Sequence, residues 1–129
     1  MKHNGESPTK FVNFTVFGHG VGVMFTTDVR KSLKEHFGLT ANDAQAVCYR
    51  YNSKARSVLI FNYDAGVGTV SHECFHAIWN MFKYHRVKLS NEGVAYHLGY
   101  LVRSVYALQG AARKSKREYY AKQRNNKHK

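Results

Sequence analysis

Residues 72 to 76 read His-Glu-Cys-Phe-His, two histidines four apart with a glutamate beside the first. On a helix, successive residues turn by about 100°, so His72 and His76 stand about 40° apart on one face, one turn up. Two imidazoles at that spacing can both reach one Zn2+ at about 2.0–2.1 Å. Glu73 lies beside them, where its carboxylate can take a proton from a water at such a metal. Glu92 follows His76 by sixteen residues, in the first turn of the next expected helix. Two antiparallel helices joined by a short loop would return its carboxylate over the motif as a third ligand, and a helix N-terminus favours that charge. Two neutral imidazoles and one carboxylate leave a fourth position open, as hydrolysis requires.

A hydrolase of this kind also needs a donor for the oxyanion of the tetrahedral intermediate. Tyr96, four residues after Glu92 on the same face, and His97 next to it are the candidates. Tyr96 could equally belong to a packing stripe with Tyr100. His97 could replace Glu92 as ligand, although at five residues' spacing it points about 140° away. The competing account of His72 and His76 makes them surface or half-buried histidines bonded to backbone, with Glu73 an exposed helical residue.

The elements that must position these groups are legible in the pattern. Phe11–Phe17 and Val21–Thr27 are aromatic and β-branched runs around Gly18-His19-Gly20, which reads as a β-hairpin. A phosphate loop is the sharper reading of these glycines, but the spacing matches neither GxxxxGKS/T nor GxGxxG. Thr27-Asp28 can cap a helix from Val29 to Phe37, stopped by Gly38. Ala46–Tyr51 and Ser57–Tyr63 read as a second strand pair, with Asn52–Arg56 as the turn. The unbroken apolar run Val58-Leu59-Ile60-Phe61 suits a strand buried on both faces. Thr69 can cap the motif helix, expected over Val70–His85. Val70, Cys74, Ala77, Ile78 and Met81 should dock it on the sheet and leave His72, His76 and Trp79 on a flank. Ser90-Asn91 are good cap types for the last helix, which continues at least to Leu108 through Val94, Leu98, Leu101 and Val105. Gly110 should interrupt it. Cys74 and Cys48 are expected in the core, and His19 and His85 in solvent.

The chain has 129 residues and a net charge of +12. That length suits one domain, and the charge raises nucleic acid or an anionic surface as partner. The charge is uneven: residues 110–129 hold eight basic residues against Glu118, a net +7, and the rest carries +5. No stretch is long and apolar enough for a membrane span, and the N-terminus lacks the apolar region of a signal peptide. Two cysteines are too few for a disulfide scaffold and suit the cytoplasm.

The segments Gly68–Ala77 (GTVSHECFHA) and Asn91–Val102 (NEGVAYHLGYLV) resemble a family of small bacteriophage-encoded zinc metallopeptidases, named largely from their motif. The likeness is best over residues 57–106, and departs from the family at Cys74 and Gly93. It implies a minimal zincin-like domain with His72, His76 and Glu92 as zinc ligands and Glu73 as general base.

The expected fold is therefore α+β, a small and mostly antiparallel sheet packed on the motif helix and a second antiparallel helix. Residues 1–10 form a flexible lead-in, 11–109 the domain and 110–129 a basic tail. The expected activity is zinc-dependent hydrolysis of peptide bonds in peptides or unfolded proteins, with weak nucleic-acid binding through the tail. The alternative is a basic phage accessory or virion protein that binds nucleic acid or a protein partner, its metal site structural or vestigial.

Overall fold

The structure is a computed structural model that describes residues 5–40, 46–51 and 56–127, and the side chains of all of these but 46–51, 56 and 127. Four strands form one sheet: β1 (Lys10–Phe14), β2 (His19–Thr26), β3 (Ala46–Tyr51) and β4 (Arg56–Asn62), in the order β1-β2-β4-β3. The helices are α1 (Val29–Phe37), α2 (Val67–Tyr84) and α3 (Asn91–Lys127).

The expected hairpin forms, with Val12 opposite Val21, and β3 pairs antiparallel with β4. Between the two pairs, β2 and β4 run parallel, Val23 beside Leu59. The sheet is thus mixed. The connection from β2 to β4 passes through α1 on one face and then through β3, which runs antiparallel to both.

Alternation along the two central strands divides the core. Val21, Val23, Phe25, Leu59, Phe61 and Tyr63 face α2 and α3, and Met24, Val58 and Ile60 face Val29 and Leu33 of α1. The apolar run of β4 is buried on both faces, as its sequence requires. The fold has three layers: α1, the sheet, and the α2–α3 pair.

Caps fix the helix ends. Asp28 accepts a hydrogen bond from Lys31 N at 3.1 Å to start α1, and Gly38, at φ 68°, ends it in the left-handed conformation. Ser90 caps α3 by accepting from Gly93 N at 3.1 Å. A Cβ on Gly93 would sit 2.8 Å from Ser90 Oγ, so that close approach needs glycine. The motif helix starts earlier than Thr69: Gly66 is its N-cap and contributes no side-chain bond.

Three further expectations change. The hairpin turn is Thr15–Gly18, and His19 and Gly20 belong to β2. The N-terminal segment is held from residue 5 onward: Ser7 N donates to Phe25 O at 2.7 Å, and the buried Glu6 carboxylate bonds His36 Nε2 at 2.8 and 2.9 Å. Pro8, without an N–H, separates this attachment from β1. The third change is in α3, which runs unbroken through Gly110. A helical glycine costs about 1 kcal/mol against alanine, and docking offsets it. Buried Gln109 donates to Tyr63 O and Ala65 O, each at 2.9 Å, and Lys116 Nζ lies 4.5 Å over the Tyr63 ring. The turn over Asn52–Ala55 and the Cys48 side chain lie outside the described residues.

Candidate metal centre

Val70, Cys74, Ala77, Ile78 and Met81 are fully buried, and they fix the rotation of α2 about its axis. His72 is about 200° around from Val70 and His76 about 240°. The motif histidines therefore face away from the core. Both are exposed, the His72 side chain by 68%.

Their Nε2 atoms lie 3.2 Å apart, with ring centroids at 4.8 Å and planes at 79°. Two nitrogens this close require either one N–H between them or a cation that both approach. A point 2.0–2.1 Å from each would see them at an angle of about 100–106°, near the tetrahedral value. Glu73 Oε1 lies 3.8 Å from His72 Nε2, and its side chain is only 13% exposed. Phe75 and Trp79 on the same outer flank bring their rings to 5.7 Å, each residue 40% exposed.

The structure does not bring Glu92 to this pair. It is exposed in the first turn of α3, and that turn sits at the other end of α2, where Gly93 packs on the Phe82 ring. Phe82 follows His76 by six residues, about 9 Å along the helix axis. Among the described residues, no group of three or more His, Cys, Asp or Glu is placed to hold a metal ion.

The two candidate oxyanion donors are also elsewhere. His97 Nδ1 donates to Gly93 O at 2.7 Å, and its ring packs among Phe14, Phe17 and Phe82, with centroids 5.3 to 5.9 Å away. It is a packing residue between α3 and the hairpin. Tyr96 is 76% exposed and stands edge-on to His97 at 5.5 Å.

A second histidine pair was not legible in the sequence. His19 and His85 are not the solvent-exposed residues expected: His19 is 4% exposed, His85 is half-buried, and His19 Nδ1 lies 3.2 Å from His85 Nε2. They stand 66 positions apart, and only the packing of the hairpin against the end of α2 unites them. No local spacing could signal that pairing.

No family model, no curated protein and no solved structure matches this chain.

Proposed function

We propose that this chain is a zinc-dependent hydrolase that cleaves peptide bonds, with His72 and His76 as metal ligands and Glu73 as the proton carrier. The observation that carries this reading is the 3.2 Å separation of the two Nε2 atoms with a carboxylate oxygen 3.8 Å away. The donor set, two imidazoles beside a carboxylate, would suit Zn2+, and both histidines are exposed to solvent.

A bound Zn2+ supplies Lewis acidity, which polarises a carbonyl and acidifies water. The roles of the chain follow from position. His72 Nε2 and His76 Nε2 present lone pairs to one point. Glu73 Oε1 would take a proton from the water that attacks the peptide carbonyl and return it to the amine as the C–N bond breaks. The motif helix packs over β4 and β3, and β3 is an edge of the sheet. The histidines stand on the opposite side of that helix, so substrate would lie along its outer side, where Phe75 and Trp79 are exposed. The open face favours peptides or unfolded proteins over folded ones. A chain with only two cysteines, of which Cys74 is buried in the core, suits a reducing cytoplasm.

The test uses the full chain, metal analysis after zinc loading, and hydrolysis of an unfolded protein and a quenched peptide. Wild type should retain one zinc and cleave, His72→Ala should lose the metal, and Glu73→Gln should keep it without turnover. Absence of bound zinc in wild type, or full activity in Glu73→Gln, overturns the proposal.

A further inference from the structure

Helix α3 supports a separate inference, independent of the metal centre. Its inner side is committed to the fold: Leu101 and Val105 are fully buried, and Leu108 and Ala112 pack on the core. Gln109 holds two backbone carbonyls, and Arg113 reaches Asp64 at 3.6 Å. These contacts fix the rotation of the helix, and hence which residues face outward.

Arg103, Lys114, Arg117 and Arg124 all fall on the outer side, within an arc of about 80° centred roughly opposite Leu101 and Val105. All four are exposed. From Arg103 to Arg124 the array extends about 31 Å along one axis. Between Glu92 and Glu118 the helix contains no acidic residue. Tyr106 lies in the same arc and is 37% exposed, with Tyr96 one step towards the N-terminus.

We propose that this outer face of α3 binds nucleic acid through its phosphate backbone. A row of cations on a docked helix meets phosphates without first being ordered, and each contact releases counterions from the polyanion. The exposed tyrosines add surfaces on which unpaired bases stack. An anionic membrane fits less well. Interfacial helices insert an apolar face, and the apolar face of α3 is already buried in the core.

The experiment measures fluorescence anisotropy of labelled single-stranded and duplex oligonucleotides of mixed sequence with the full chain. Saturable binding should weaken by about 10²-fold between 50 and 200 mM salt, the behaviour of about four phosphate contacts. The variant Arg103→Glu, Arg117→Glu, Arg124→Glu changes only exposed side chains and should lower affinity at least about tenfold and flatten the salt slope. A control, Lys10→Glu, Lys34→Glu, Lys88→Glu, makes the same change in net charge off this face and should stay within about threefold of wild type. Circular dichroism checks that both variants fold. Three outcomes would overturn the proposal: no saturable binding at low salt, equal losses in the two variants, or tighter association with phosphatidylserine vesicles than with either oligonucleotide.

Discussion

His72 Nε2 and His76 Nε2 face one another across 3.2 Å on the side of α2 opposite the stripe that docks it to the sheet. The two features have one cause. A core stripe at Val70, Cys74, Ala77, Ile78 and Met81 leaves positions 72 and 76 no inward direction. Burial of one face thus presents the other, and the four-residue spacing brings the rings together.

The position of Glu92 at the far end of α2 yields a prediction about ligation. Glu92→Gln should leave zinc affinity within about threefold of wild type, under 1 kcal/mol. His76→Ala should lower it by more than about 100-fold, beyond the usual effect of outer-shell changes. Competition with a chromogenic chelator measures both. A large loss in Glu92→Gln would mean that α3 closes on the motif when metal binds.

The helix that carries the motif depends on its buried side. Ile78→Ala should destabilise the protein by about 2–5 kcal/mol, because it opens a cavity at a fully buried position. Phe75→Ala, at an exposed position three residues earlier, should cost no more than about 1 kcal/mol. Urea midpoints of the two variants, compared at equal slope, distinguish them.

Gln109 ties the distal half of α3 to the end of β4. Gln109→Ala would leave the Tyr63 and Ala65 carbonyls without these donors, each worth about 1–3 kcal/mol when buried. Amide hydrogen exchange over residues 110–127 should accelerate more than over residues 91–108. Uniform acceleration would show that α3 opens as one unit.

Tyr63 gives the fold an alkaline limit. Burial first, and then the charges of Tyr120 and Glu6, push its phenol from 10.0 up to about 12. The unfolded chain therefore releases this proton before the folded one does. The contribution to stability is complete below pH 10 and is lost as pH rises from 10 towards about 12. Denaturation midpoints across that window should fall in wild type and fall less steeply in Tyr63→Phe. Parallel curves would remove Tyr63 from the explanation.

Local patterns carried much of the reading. Asp28 and Gly38 bound α1 where capping chemistry puts them, and the apolar run of β4 lies between two helical layers. The spacing of α2 named its buried residues, because helical periodicity needs no knowledge of the partner surface. The HExxH spacing likewise placed two imidazoles together within a single turn.

The remaining relationships are long-range. Whether β2 and β4 run parallel depends on the path of the chain between them, and no strand's composition records it. The pairing of His19 with His85 and the attachment of Glu6 to His36 join elements distant in sequence. Gly110 reads locally as a stop, yet bonds from Gln109 and packing of Ala112 and Lys116 carry the helix through it. The basic tail thereby becomes one face of a docked helix. Sequence determined which residues share a turn and which face of each helix is apolar, since both follow from local geometry. Tertiary packing alone decided what the turns meet: it set Glu92 apart from the histidines and aligned the cations of α3, because those distances depend on how whole elements settle against one core.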